Sequence, residues 1–235
     1  MNITTTLLAG ATALGMASAA TAVVIILDDF ETEFAGQPYA TSGAVVQTTD
    51  TITVDGNTFD RTASLLVDNN VNGAPAMAQF RTDTGNFILS SDTGVSAVAT
   101  LEYDLGAILF DAQTGSATGI LRLQEEFADR PRTYIFTLNG VAVDTNEQLI
   151  DTELGFPKII ELNFDTANLT GNDILGITID AGVAGRSLGD ALDLELSFLN
   201  IEIPDVPVSV PAPGVLSLLG LGLLGLGLSR RRHTV

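Results

Sequence analysis

The sequence predicts an all-β protein, an antiparallel β-sandwich of jelly-roll type, and three observations carry that prediction. Apolar residues recur with period two along several segments of the middle of the chain, as in strands with one face buried. Short clusters of Gly, Asn, Asp and Thr separate those segments and supply turn conformations. No segment between Val23 and Ile203 sustains a 3.6-residue period. About eight to eleven strands spaced in this way suggest two packed sheets.

The elements follow in order. Val23 to Leu27 opens the domain as an apolar strand and runs into Asp28, Asp29 and Glu31. Val95 to Tyr103 alternates in part. Thr133–Leu138 and Val141–Val143 flank Asn139-Gly140, the signature of a hairpin closed by a type I′ turn. Lys158–Phe164 and Ile174–Ile179 read as two further strands. Leu192, Leu194, Leu196 and Phe198 share one face, with Asp193, Glu195 and Ser197 on the other. Leu199, Ile201 and Ile203 continue on the opposite phase, so the adjacent Phe198 and Leu199 predict a β-bulge.

Both ends of the chain are apolar. An uncharged stretch from Leu7 to about Ala17 leads to Ala20-Thr21-Ala22, an A-x-A cleavage pattern, although no Lys or Arg precedes it. At the other end no residue from Pro213 to Ser229 is charged, and Arg230, Arg231 and Arg232 follow. A helix there would be roughly 25 Å long, at the short end for a hydrocarbon core of about 30 Å. The arginines would then lie on the cytoplasmic side. Gly220 to Gly225 matches G-x-G-x-x-G, but no acidic residue follows it and the chain ends soon after, so a dinucleotide site is excluded. The predicted organisation is a signal peptide (1–22), a sandwich (23–203), a Pro-rich linker with a sorting motif (204–213), a transmembrane helix (214–229) and a basic cytoplasmic tail (230–235).

That tail resembles a known address. Val210-Pro211-Ala212-Pro213, the Leu/Gly run and the three arginines are similar to the PEP-CTERM sorting signal of Gram-negative bacteria. The family's Val-Pro-Glu-Pro maps onto Val210, Pro211 and Pro213, with Ala212 in place of the glutamate. The resemblance implies a transient stay in the inner membrane and recognition by an exosortase-like processing enzyme. It also implies delivery to the cell surface or extracellular matrix, where exopolysaccharide is the expected partner. A resemblance of sorting signal carries no fold with it.

Composition restricts the chemistry of the domain. Val23 to Asp205 holds 29 acidic residues against six arginines and Lys158, a formal charge of −22. Nucleic acid and anionic lipid are repelled by such a surface. The acids form either a solvated coat or weak sites for Ca²⁺, the one cofactor the composition suggests. Zero Cys and a single His, His233 in the tail, exclude disulfides, thiolate or imidazole metal sites and Ser-His-Asp catalysis in the domain. The expected protein is not an enzyme.

A second resemblance covers the domain's edges. Opening on Leu27-Asp-Asp-Phe-Glu31 and closing on Leu194-Glu-Leu-Ser-Phe-Leu-Asn-Ile-Glu-Ile203 is similar to galactose-binding-like jelly rolls, including some carbohydrate-binding modules. It implies neighbouring terminal strands and a calcium-dependent carbohydrate-binding module as the alternative function. The chain departs from that pattern in having no Trp and only three Tyr, whereas sugar platforms use exposed aromatic faces. Most Phe fall in strand patterns and are expected in the core.

Three groups of acids are candidate sites. Asp28, Asp29 and Glu31, joined by Asp190 or Asp193 from the last strand, could hold a structural Ca²⁺ if the end strands pair, or could be a solvated strand end. Asp68 to Gly73 matches the first half of an EF-hand loop, but the twelfth position is Gln79 and the flanks read as strands, which favours a polar turn. Glu125, Glu126 and Asp129 before Arg130 and Arg132 could be a carboxylate pair for glycoside hydrolysis, but read as a solvated charged turn. Intact-mass measurement of the protein released from the cell surface should show loss of about the first 22 residues and of the tail near Pro213. A soluble extracellular form that keeps Arg230–Arg232 would contradict the sorting assignment.

Overall fold

The computed structural model describes residues 22–36, 39–40, 45–70, 78–83, 85–109, 118–148, 155–180 and 192–203. The predicted signal peptide, the linker with its sorting motif, the apolar tail and Asp190 lie outside them. Among the described residues no helix is long and apolar enough to cross a membrane.

Thirteen strands fill the described chain. They are β1 (Val23–Asp28), β2 (Tyr39–Ala40), β3 (Val45–Val54), β4 (Asn57–Asn70), β5 (Ala78–Asp83), β6 (Asn86–Ser91) and β7 (Val95–Gly106). The others are β8 (Thr118–Ala128), β9 (Arg132–Leu138), β10 (Val141–Gln148), β11 (Lys158–Asp165), β12 (Asp173–Asp180) and β13 (Leu192–Ile203). Seven form one sheet in the order β11-β8-β13-β6-β5-β2, with β1 also paired to β13. Six form the other, β10-β9-β12-β7-β4-β3. Every pairing is antiparallel, so the architecture is the expected antiparallel sandwich. From β7 onward the chain changes sheet at each connection except the β9–β10 hairpin, which interleaves distant segments in both layers.

Alternation builds the core. Phe87 and Leu89 on β6 and Phe80 on β5 point inward and are fully buried, while Ile88 and Arg81 between them face out. Phe34 packs edge-on against Phe80 at 5.1 Å, a favourable aromatic geometry. Tight turns set the registers. Asn139 (φ 53°) and Gly140 (φ 77°) form the expected left-handed pair between β9 and β10. Asp55 (φ 49°) and Gly56 (φ 83°) do the same between β3 and β4.

The terminal strands do pair: Val23 lies opposite Ile203 and Asp28 opposite Leu199. The bulge on β13 is present, but one residue earlier than expected. Leu196 pairs with Glu125 and Phe198 with Gln124, which leaves Ser197 and Glu126 as extra residues on the two strands. Those two meet, the Ser197 hydroxyl donating to Glu126 Oε1 at 2.6 Å. Because the phase switches at Ser197, Phe198 turns half outward and does not share the face of Leu192, Leu194 and Leu196. Phe127 is likewise exposed, at 44%.

Gly119 stands opposite Phe164 in the β8–β11 ladder, and a Cβ there would overlap the Phe164 ring. Gly119→Ala should therefore destabilise the domain by about 1–3 kcal/mol in urea denaturation. Adding Phe164→Ala should make the pair clearly non-additive, because the second change removes the clash.

Candidate functional site

Among the described residues two buried Arg–carboxylate clusters and one exposed polar row stand out. The first cluster starts from Asp28 at the end of β1, 1% exposed. Arg61 enters from β4 of the other sheet, on the inward phase of Phe59, Ala63 and Leu65. Its Nη1 donates to Asp28 Oδ2 at 2.9 Å. Its Nε and Nη2 grip Asp50 of β3 at 3.1 and 2.6 Å, the fork geometry that suits a carboxylate. Nη2 also donates to the Thr32 carbonyl at 3.0 Å, and the guanidinium lies 4.0 Å from the Phe34 ring centroid. The Tyr103 hydroxyl donates to Asp28 Oδ2 and the Phe30 amide to Asp28 Oδ1, at 2.9 and 2.8 Å.

Burial pushes the Asp28 carboxyl above its ordinary 3.8, and the Arg61 charge beside it pulls back only part of the way. Burial also opposes the charge of Arg61, but the hydrogen bonds to Asp50 and the field of Asp28 outweigh it, and the guanidinium stays protonated. Tyr103 is held neutral, chiefly by burial and then by the adjacent Asp28.

The second cluster repeats the recipe. Glu125 of β8 is fully buried and accepts from Arg132 Nε at 2.8 Å, from Arg132 Nη2 and from the Tyr134 hydroxyl. Arg132 Nη1 donates to the Arg130 carbonyl at 3.1 Å. Burial, then Glu125, hold Tyr134 neutral. In both clusters the innermost carboxylate belongs to the seven-stranded sheet, and the arginine and tyrosine belong to the six-stranded one.

These placements correct two expectations. The 125–132 segment is not a solvated charged turn, since Glu125 and Arg132 are interior. Glu126 lies on the outer side, where hydrogen bonds from Ser197 and then Gln124 hold its carboxyl below the usual range. Glu125 and Glu126 therefore do not converge on one substrate site. Asp193, moreover, does not join Asp28, Asp29 and Glu31. Asp28 is taken up by Arg61 and Tyr103, and Asp29 accepts the Glu31 amide at 3.1 Å in an exposed turn. Asp193 faces outward, six residues along β13 from the partner of Asp28, which is roughly 20 Å away. Among the described residues no group of three or more acids is placed to hold a metal ion. Of the EF-hand-like stretch, Asp68–Asn70 ends β4, and 71–77 lie outside the described residues.

The exposed row runs across the outer face of the seven-stranded sheet. Tyr39, Gln79, Ser90 and Asp193 are successive cross-strand neighbours on β2, β5, β6 and β13. Three strand spacings make the row about 14 Å long. Arg81, Ile88 and Glu195 form the next row. The Ser90 hydroxyl bonds to Asp193, and Asn86 Nδ2 donates to Glu195 Oε1 at 2.6 Å. Arg81 Nε has no hydrogen-bond partner among the described residues. Of the three tyrosines only Tyr39 is open to solvent, at 63%.

No family model and no curated protein matches the sequence. Among solved structures the chain is similar to a family 29 carbohydrate-binding module from Piromyces equi, at 12% identity and a TM-score of 0.30 over 72% of this chain and 91% of that one. It is similar to a cyclase from Fischerella at 12% identity and a TM-score of 0.39, over 79% of this chain and all of that one. A tailspike domain of bacteriophage CBA120 is similar at 11% identity and a TM-score of 0.32, with 20% of that chain covered. At these scores none of the three fixes what this chain does.

Replacing Arg61 by Met should leave Asp28 without its countercharge and cost about 3–5 kcal/mol near neutral pH. The loss has a defined pH dependence. With its folded pKa raised above the unfolded 3.8, Asp28 is free of the penalty below 3.8 and acquires it as pH rises through the folded value. Denaturant curves of Arg61→Met and wild type should therefore converge on acidification and separate again on return to neutral pH.

Proposed function

We propose that the chain is a non-catalytic, exported surface or matrix protein whose sandwich holds extracellular polysaccharide weakly through the outer face of its seven-stranded sheet. Export rests on the apolar ends and the Pro/apolar/Arg order of residues 210–232. The lack of catalysis rests on the buried carboxylates of the described residues: Asp28 and Glu125 are tied to arginines inside the core, and Asp173 accepts from Thr170 and Asn139. No histidine or cysteine of the domain could supply another nucleophile or base of those types.

The observation that carries the glycan reading is Tyr39. Its ring lies in solvent at the head of a row of amide, hydroxyl and carboxylate groups, with the Arg81 guanidinium on the adjacent row. Sugars offer hydroxyls to such groups and an apolar ring face to an aromatic. One ring instead of several makes the contact weak, which suits many copies held along a polymer. The described residues supply no metal cluster to this face, so the reading requires no Ca²⁺.

Affinity electrophoresis of the released protein through gels containing the producing cell's exopolysaccharide tests this. Tyr39→Ala should reduce retardation by roughly tenfold in apparent affinity, about 1.4 kcal/mol. Arg81→Ala should weaken it and Tyr103→Phe should not, with or without a chelator. Retardation indifferent to Tyr39 and Arg81 would remove this face from the function.

A further inference from the structure

Among the described residues five strands have a single ladder partner and so an open edge, and four of those edges are blunted. β1 is six residues long and irregular between Ile26 and Asp28. β2 is two residues long. β10 is broken by a bulge between Ala142 and Asp144, and the Asp144 carboxylate accepts from the Thr145 amide at 2.8 Å and from the Asn163 amide of β11 at 2.5 Å. β11 is thereby capped at Asn163 and carries Lys158, Glu161 and Asp165. Bulges, charges and short strands are the usual protections against edge-to-edge pairing.

The fifth edge, β3, has none of them among the described residues. It runs ten residues, and its ladder with β4 is unbroken from Val45↔Leu66 to Val54↔Asn57. The two-residue Asp55-Gly56 turn makes Val54 and Asn57 a hydrogen-bonded pair, so alternate residues back along β3 aim their amides at β4. The amides and carbonyls of Val45, Gln47, Thr49, Thr51 and Thr53 therefore face the open edge. The side chains agree, because in close, non-hydrogen-bonded pairs they can meet across the strands. Thr49 bonds Thr62 at 3.1 Å, Thr51 donates to Asp60 at 2.6 Å and Thr53 bonds Thr58 at 2.8 Å. All five edge-facing residues are exposed, Val45 at 63%.

Charge indicates the occupant. In a domain of formal charge −22, β3 carries one acid, Asp50, and Arg61 neutralises it from the inner side. A second copy of so acidic a domain meets least repulsion where acids are few or compensated. At this edge it meets threonines, a glutamine and a valine with unpaired backbone groups. Antiparallel pairing of one strand with itself closes on a two-fold axis, and the blunted β10 edge stops further growth of that sheet. We infer that two copies of this chain join through β3, edge to edge, into a closed dimer with a continuous twelve-stranded sheet, twice the six strands of one copy.

Light scattering of the full chain in mild detergent, which prevents association through the apolar tail, should give twice the protein mass of one copy. Thr51→Pro removes one outward amide while leaving the β3–β4 hydrogen bonds, and should halve that mass with the far-ultraviolet spectrum unchanged. Thr49→Glu, which sets carboxylates against one another near the axis, should do the same if the proline variant fails to fold. Thr51→Val keeps the amide and should remain dimeric. A wild-type monomer overturns the inference. So does a dimer that survives either disruptive variant in folded form, since its contact then lies elsewhere. The glycan row is on the other sheet, so Tyr39→Ala should leave the mass unchanged.

Discussion

An arginine that crosses the interior of a sandwich must find its countercharge where it ends, and the described residues contain two. Arg61 reaches Asp28, and Arg132 reaches Glu125, each with a tyrosine hydroxyl completing the carboxylate's hydrogen bonds. An unpaired charge in either place would cost several kcal/mol, whereas the pair itself adds little net stability over an apolar replacement. The physical weight of these clusters lies in alignment. A one-residue slip of β4 or β9 would turn its arginine to the outer face and leave a carboxylate stranded inside. The two sheets are thus registered against each other by chemistry as well as by packing.

The same clusters explain how so acidic a chain keeps a dry core. The acids that enter the interior arrive with partners, and most others lie on outer faces or in turns. Outer-face acids are themselves tied locally: Asp193 to Ser90, Glu195 to Asn86, Glu126 to Ser197. Ordered polar rows on a sheet face can match the hydroxyls of a polysaccharide, and Tyr39 is the sole tyrosine ring in the open. Under the two proposals the sheets would divide the labour, with polymer contact on the seven-stranded face and self-association at an edge of the six-stranded one.

The fold class was legible in the sequence because the side-chain period of a half-buried strand is short and local. Asn139-Gly140 announced a hairpin for the same reason: two successive left-handed residues need just those types. The bulge in the last strand was visible as Phe198-Leu199, but its position was not. Ser197 became the extra residue because Glu126 across the ladder offers its hydroxyl an acceptor, which is a fact about β8. Arg61 and Arg132 also left a signal that local polarity obscured. Each occupies the inward phase of an alternating strand, Phe59-x-Arg61-x-Ala63 and Arg132-x-Tyr134-x-Phe136, where an apolar residue belongs.

What the sequence determined by itself is therefore the periodic and the compositional: strands, tight turns, an acidic domain without cysteine, and the order of apolar and basic residues at its ends. Tertiary structure alone decided which acids are chemistry and which are coat. Asp28 and Asp29 are adjacent in the chain, yet one is sealed against Arg61 and the other closes an exposed turn, since β1 ends at Asp28 and the chain turns away there. Arg61 is 33 residues from Asp28, and Tyr103 is 75, separations at which no local pattern links residue to residue. Only the packing of two sheets brings them within hydrogen-bond distance, and only the strand order places β3 at an edge, with β4 as its one ladder partner among the described residues.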